Sequence, residues 1–433
     1  MKIRVAYDIS FFAKHYNSYN FKKAGIFRAI EELVSEMSSI NDVELTLMWL
    51  CDKEPLPNSH TATNIKTHKK FLTCKFVDSF SSLVLVKIYR AIYSIYYSNF
   101  QEKPNFYVLK LLERGLKKVL LYSRKLIFSY LFYFQNFDIF HSSYLQLPPQ
   151  NFTKNIPRVL TVYDLIPIFA PEFANAYQTS FLKKVLNSIN TQKDWIVCIS
   201  EYTKQEFCQY TGMSPDRVFV APLAAASHFY YVRDTDRISA VRQRYHIPDS
   251  DYFLSLAAPQ PRKNLVHLIR CFFRLLSEKQ EIDVNLVLVG SKDLGWMHDD
   301  IFAAAESSPL FRSRVIFTGY IPDDDLSEIY SGAKVFIFPS LYEGFGLPPL
   351  EAMQCGTPVI ASNTTSLPEV VGDAGILVDP KDEDSLCQAM LDILNNAALG
   401  QELSRKGLER AAQFSWAKCA ADTLQVYKTA LSG

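Results

Sequence analysis

The stretch from Ala333 to Gly356 constrains the fold of this chain more than any other. Its first part, Ala333-Lys-Val-Phe-Ile-Phe338, is short, apolar, β-branched and aromatic, the pattern of a buried parallel strand. Pro348 and Pro349 suit a helix start, because proline's fixed φ and missing N–H cost little in the first turn, and Gly356 suits its stop. Glu343, Gly344, Phe345, Gly346 and Leu347 therefore fall on a strand-to-helix turn, and Glu351 in the first helical turns. An open α/β sheet is built from such units and places its ligands outside the carboxyl ends of its strands.

The turn also implies a chemistry. The N–H groups of Phe345, Gly346 and Leu347, with the positive end of the helix dipole, make an anion site, and the small Gly344 and Gly346 are expected to let a ligand approach the backbone. Phosphate is the natural guest. Two carboxylates beside a phosphate would repel it, so Glu343 and Glu351 are expected to accept hydrogen bonds from sugar hydroxyls. Diphosphate plus hydroxyl-rich groups reads as a sugar nucleotide.

Glu343-Gly-Phe-Gly-Leu-Pro-Pro-Leu-Glu351 resembles the E-x7-E motif of the retaining glycosyltransferases of family 4. The resemblance runs on through Pro261-Arg-Lys-Asn-Leu265, Val315-Ile-Phe-Thr-Gly-Tyr-Ile-Pro322, Gly356-Thr-Pro-Val-Ile-Ala-Ser362, Leu367-Pro-Glu-Val-Val371 and Gly375-Ile-Leu-Val378. With Asp138-Ile-Phe-His141, the wording is most similar to bacterial O-antigen and exopolysaccharide mannosyltransferases. It implies an α/β fold of two facing Rossmann-like domains (GT-B) with a deep interdomain cleft. It also implies that Arg262 and Lys263 reach the donor diphosphate, that Glu351 holds the ribose, and that Tyr320 and Ile321 lie near the base. Gly25 stands where relatives pass a glycine-rich loop near the donor phosphate, with plain helix entry as the alternative. At Thr161-Val-Tyr-Asp-Leu165 relatives commonly carry His-Asp; Tyr163 replaces the histidine and is expected to position the donor sugar or pack in the wall, while Asp164 braces the turn. The N-terminal half matches in patches, and acceptor-binding residues do not carry over.

The physics of the residues agrees for Arg262 and Lys263, since two fixed cations beside a leaving diphosphate stabilise charge as it develops. The competing reading is a solvated basic turn. Gly290-Ser-Lys-Asp-Leu-Gly295 has the glycine spacing of a P-loop but is followed by Trp296 and Met297, so it does not argue for one. Asp323 and Asp325 match a metal-binding D-x-D, yet Pro322-Asp-Asp-Asp-Leu-Ser-Glu-Ile329 reads as a turn capping a helix that buries Leu326 and Ile329, and no metal site is assigned. His141 reads as a hydrogen-bonded core histidine ahead of a cleft residue.

A length of 433 residues exceeds one ordinary core and points to two domains. The expected boundaries are 1–228 for the first domain, 229–251 for an irregular connector and 252–414 for the donor-binding domain. The resemblance implies that 415–433 is a helix crossing back to the first, with Trp416 as its packing anchor, and a plain terminal helix on its own domain is the alternative. Eight scattered cysteines without a C-x-x-C pair argue for reduced thiols in a cytosolic chain. The opening Met1-Lys-Ile-Arg-Val-Ala-Tyr-Asp8 reads as a strand in place of a signal peptide. After it, Ile26, Phe27, Ile30, Leu33, Val34 and Met37 give a helix one apolar face.

Residues 66–125 hold thirteen Lys and Arg against three acidic residues, a local charge of +10 in a chain whose total is +1. Aromatic residues are interleaved with this charge and follow it to Phe134. No run there reaches the ~20 apolar residues of a membrane span. The leading reading of 66–134 is an amphipathic insertion on an anionic membrane, and the competing one a helical subdomain with a solvated basic face. A nucleic-acid surface is possible in principle but lacks any recognition motif, and no nucleic-acid partner is assigned.

The chain is thus expected to be a metal-independent retaining glycosyltransferase without a cofactor. It would use GDP-mannose, or a UDP-sugar, as co-substrate and a glycan or lipid-linked glycan as acceptor. Its expected place is the cytoplasm or the inner face of the plasma membrane. A sugar-nucleotide-binding scaffold that has lost turnover is the alternative.

Overall fold

A computed structural model describes residues 2–11, 25–48, 74–76, 136–258, 260–290 and 298–433. The expected membrane-binding segment 66–134 lies outside the described residues apart from 74–76. Two parallel sheets with helices on their faces make up the architecture, as the α/β expectation required. The first sheet has strands β1 (Ile3–Asp8), β2 (Val43–Met48), β3 (Lys75–Phe76), β4 (Ile139–Ser142), β5 (Arg158–Val162), β6 (Trp195–Cys198) and β7 (Val218–Val220), in the order β3-β2-β1-β4-β5-β6-β7. The second has β8 (Asp251–Leu256), β9 (Val284–Val289), β10 (Val315–Gly319), β11 (Val335–Phe338), β12 (Val359–Ser362) and β13 (Ile376–Val378), in the order β10-β9-β8-β11-β12-β13. Contacts divide the chain into one compact unit of Met1–Thr161, Lys184–Ile196 and Leu424–Gly433, and another of Val162–Lys183 and Val197–Thr423.

In the first unit the helix Gly25–Ser39 buries Phe27, Ile30, Leu33, Val34 and Met37 as the periodicity predicts, but Ile26 is only half-buried. His141 is a core residue: its Nδ1 lies 2.6 Å from the Tyr427 hydroxyl and its Nε2 2.8 Å from Thr161 Oγ1. Burial lowers its pKa to about 3, so the ring is neutral at physiological pH. Arg158 and Asp194 form a fully buried fork, with Nε to Oδ1 at 2.8 Å and Nη2 to Oδ2 at 2.5 Å. Removing one partner of such a pair leaves an uncompensated buried charge and costs about 3–5 kcal/mol.

The second unit is centred on the helix Leu265–Glu278, whose buried Leu268, Ile269, Phe272, Leu275 and Leu276 share one apolar cluster with Leu286, Leu288, Val335, Ile337 and Ile360. The near-continuous apolar runs of β9, β11 and β12 are buried along their whole length, as a sheet covered on both faces demands.

Three expectations need correction. The span 229–251 is not irregular, because Thr235–Arg244 is a helix capped by Asp234, which accepts from the N–H groups of Asp236 and Arg237. Only Val241 is buried on it, so its apolar signal is thin, and ion pairs hold it instead: Arg237 to Glu328, and Arg244 to Asp325 at 2.7 Å. The helix Asp323–Ser331 starts after Pro322 with no side-chain cap, and its three first-turn acids are not caps. Ile329 is buried, but Leu326 only partly. Asp325 is engaged by Arg244 and by the Tyr245 hydroxyl at 2.6 Å, and no metal-holding cluster occurs among the described residues. The seven described cysteines are free thiols. No helix of the described residues is long and apolar enough to cross a membrane.

Candidate active site

The second sheet adds β9 and β10 on one side of β8, then returns to add β11, β12 and β13 on the other. The loops leaving β8 and β11 therefore run apart, which is the switch point where open α/β sheets receive ligands. Only Val335 with Phe253 and Phe336 with Leu254 are in register between these strands, and beyond them Ser255 Oγ donates to Ile337 O at 2.8 Å.

The loop after β8 delivers Arg262 and Lys263 on a single 3-10 turn, Pro261–Lys263. Asn264 closes that turn at φ 58°, in the left-handed region that asparagine tolerates better than most residues, and its Nδ2 donates to Pro380 O at 2.7 Å. The loop after β11 delivers Glu343, and the two loops are laced together. Leu341 N–H donates to Arg262 O at 2.7 Å, Ser340 Oγ donates to the same oxygen at 2.9 Å, and Arg262 Nη1 donates back to Tyr342 O at 2.8 Å.

Glu343 sits at the centre, 7% exposed. Its Oε1 lies 2.6 Å from Arg262 Nη1, accepts from Lys263 Nζ at 2.7 Å and lies 2.6 Å from Ser340 Oγ, whose one proton it shares with Arg262 O. Its Oε2 has no partner among the described residues. Burial alone pushes the carboxyl pKa up, but the charges of Lys263 and Arg262 and their hydrogen bonds outweigh it and bring the value down to about 2. Burial lowers Lys263 to about 8, with Glu343 opposing and Arg262 reinforcing the shift. Its ammonium also lies 4.6 Å from the Phe338 ring centroid. At neutral pH two cations thus share one carboxylate oxygen and leave the cluster net positive.

Next to it, Gly346 precedes the helix Leu347–Gln354 with no side-chain cap. The N–H groups of Phe345, Gly346 and Leu347 have no acceptor among the described residues. The helix dipole adds its positive end to the two cations, and together they suit an anion of more than one charge.

Gly344 does a different job from the one expected. A Cβ at Gly344 would stand 2.2 Å from Tyr163 O and 2.8 Å from Asp164 Cβ, so this position admits the protein's own chain. Gly346 is required by its φ of 132°, and a Cβ there would meet Leu367 Cδ2 at 2.9 Å. Gly290, from the P-loop-like string, is likewise a packing glycine, since a Cβ would stand 2.4 Å from Ala257 O.

Of the other expected residues, Tyr163 is 6% exposed and lays its carbonyl against Gly344. Asp164 braces its turn by accepting from Ile166 N–H at 3.2 Å. Burial raises the Asp164 pKa, Arg262 opposes the rise and Glu343 adds to it. Glu351 is buried, with the Tyr330 hydroxyl at a long 3.5 Å from its Oε2. Tyr320 and Ile321 follow β10, two places from β8 in the sheet; Tyr320 is 39% exposed and Ile321 is buried. Gly25 is exposed at the first residue of its helix.

Residues 238–410 match the family described as glycosyl transferases group 1, and residues 94–224 the one described as glycosyltransferase family 4. O-antigen chain mannosyltransferase B of Escherichia coli is 34% identical over 291 residues, which cover 67% of this chain and 74% of that protein. The chain belongs to glycosyltransferase family 4. Serotype-specific mannosyltransferase WbdA of Escherichia coli is 37% identical over 271 residues, 61% of this chain, so this glycosyltransferase matches about a third of that longer relative, 33%. Among solved structures, a glycosyltransferase from Rickettsia africae superposes with a TM-score of 0.64 at 14% identity, over 100% of this chain and 99% of the other. HepE of Anabaena in complex with UDP-glucose gives 0.63 at 14% identity, over 100% of each chain. Both likenesses show the fold.

Reading the sequence of this glycosyltransferase missed the residues that hold the Glu343 loop. Thr365 Oγ1 accepts from Glu343 N–H at 3.1 Å, and Ser366 Oγ donates to Glu343 O at 2.9 Å and Phe345 O at 2.7 Å. Ser and Thr beside a short helix carry no distinguishing pattern, and only folding brings them across from the loop.

Proposed function

We propose that this glycosyltransferase moves a sugar, with retention at the anomeric carbon, from a nucleoside-diphosphate donor to a hydroxyl of a glycan or lipid-linked glycan. The observation that carries this reading is the convergence of Arg262 and Lys263 on one Glu343 oxygen, beside an uncapped helix N-terminus, at the switch point of the second sheet. Arg262, Lys263 and the N–H groups of Phe345 to Leu347 would take the negative charge of the leaving diphosphate. Glu343 Oε2 would accept from the sugar hydroxyls, and Glu351 from the ribose. Tyr163 would position the sugar while Asp164 braces its turn, Tyr320 and Ile321 would border the base, and Gly25 would pass near the donor phosphate.

The bond from the anomeric carbon to the diphosphate breaks as the acceptor oxygen bonds the same face, through an oxocarbenium-like state. The acceptor proton goes to the departing diphosphate, so no protein nucleophile is required. The positive charge of the cluster makes a divalent ion unnecessary. GDP-mannose is the first choice of donor, supported by the mannosyltransferase names of the Escherichia coli relatives, with UDP-sugars next.

The test is a panel of sugar nucleotides scored by thermal stabilisation, where a ligand at 100 times its Kd adds ~2.7 kcal/mol. GDP-mannose is expected to give the largest shift and to release GDP when acceptor glycan is added. Stabilisation without GDP release from any acceptor would return the protein to a binding scaffold. Residues 66–134 are proposed to bind an anionic membrane on the strength of their charge; equal recovery with neutral and anionic vesicles would refute that.

A further inference from the structure

The loop that carries Glu343 is gripped from a second direction, by one face of the helix Glu201–Thr211. Ser200 caps that helix, accepting from Thr203 N–H, and Thr203 and Glu206, three residues apart, lie on the same side of it. Ser200 Oγ and Thr203 Oγ1 both donate to Gly344 O, at 2.8 Å and 3.2 Å. Glu206 accepts the Tyr342 hydroxyl hydrogen bond with its carboxylate. The main-chain carbonyls on either side of Glu343 are thereby fixed by other groups: Tyr342 O by Arg262, and Gly344 O by Ser200 and Thr203.

The helix is itself tied to the far side of the loop. Its Glu201 and Tyr202 N–H groups donate to the Glu369 carboxylate at 2.8 Å and 2.6 Å. Glu369 belongs to the helix Leu367–Val371, and Ser366, immediately before that helix, holds Glu343 O. The Tyr342 ring packs with Ile166, Ala170, Phe169 and Phe173, which follow the Asp164 turn, and meets the Tyr202 ring edge-on at 6.0 Å. Tyr342 therefore joins the helix face, the segment after the Asp164 turn and the Glu343 loop.

A buried carboxylate beside a phenol is costly to keep and does nothing for a sheet or helix ladder, so the pair calls for a local reason. We propose that Glu206 and Tyr342 are positioning residues for the transfer reaction, which act through Glu343 by fixing the direction of its carboxylate. This rests on the reading of Glu343 given above. Ser200 and Thr203 hold the other end of the same three-residue segment. Both side chains are engaged by each other and by neighbouring protein groups, so loss of the pair is expected to lower kcat and leave donor KM nearly unchanged.

The test is steady-state kinetics on the full chain with the donor that stabilises it best. Tyr342→Phe is expected to lower kcat by about 10- to 100-fold, the scale of a reacting group misplaced by about 1 Å, with donor KM within about twofold of wild type. Glu206→Leu should do the same, and the double variant should be no worse than either single one, because both break one contact. Glu206→Gln keeps an acceptor for the phenol and should recover most of the rate. Should Tyr342→Phe not fold, Ser200→Ala with Thr203→Val loosens Gly344 from the helix and carries the same expectation. Wild-type kcat in Tyr342→Phe, or a loss confined to KM, would overturn the proposal. Glu343→Gln run alongside separates the two ideas: if it is inactive while Tyr342→Phe is normal, the clamp fails and the role of Glu343 stands. If Glu343→Gln turns over like wild type, the underlying reading fails.

Discussion

Replacing Glu343 by Gln removes one charge and almost no volume, so its effect reports electrostatics. Read from sequence, the change would lower transfer and leave folding nearly intact. The structure predicts otherwise, because Glu343 is the shared counter-ion of two largely buried cations. The carboxyl falls from an ordinary value of 4.5 to about 2, and that difference corresponds to roughly 3 kcal/mol of native-state stabilisation. A depressed acid stabilises fully above its unfolded value and loses the contribution as pH falls through its folded one. The wild-type advantage over Glu343→Gln should therefore be constant from neutral pH down to about 5 and vanish between about 4.5 and about 2. Lys263, already lowered to about 8, should fall further in the variant, so part of the destabilisation should be relieved as pH rises above 7. For a unit of this size 3 kcal/mol moves the thermal midpoint by on the order of 10 °C. The assay is thermal unfolding from pH 3 to 9, with turnover measured on the folded variant at a temperature well below its midpoint. A variant with wild-type stability at every pH would refute the counter-ion argument, whatever its activity.

Glu351→Ala should weaken donor affinity by about tenfold or more with a small effect on kcat, and unchanged nucleotide binding would leave Glu351 a buried residue of its helix without a role toward the donor. Tyr163→Phe keeps the ring and removes the hydroxyl; a fall in kcat is expected, and wild-type kinetics would make Tyr163 a wall residue. Gly344→Ala should cost more than about 2 kcal/mol and abolish transfer, because its Cβ meets backbone that cannot swing aside; a stable, active variant would show that the Tyr163 carbonyl can give way. Chelator should leave activity unchanged, and loss restored by manganese or magnesium would show that setting Asp323 and Asp325 aside as metal ligands was a misreading.

Local patterns in the chain determined a good deal: buried apolar strands, proline-started helices and a turn whose backbone invites an anion. They placed Glu343, Arg262 and Lys263 at strand ends because strand periodicity and turn chemistry act over a few residues. What they could not determine was partnership at long range. Lys263 and Glu343 are 80 residues apart, and Tyr342 and Glu206 are 136 apart, and only the order of strands in the sheet and the packing of helices bring them together. The same limit explains Gly344, which reads as room for a ligand until Tyr163 O is seen to fill that room. It also explains the helix Thr235–Arg244, whose single buried Val241 gives no periodic signal and whose ion pairs exist only once Glu328 and Asp325 face it. Backbone propensity is a property of neighbours in sequence, whereas charge pairing and close approach are properties of neighbours in space, and in this protein the latter orient the carboxylate on which the proposed chemistry turns.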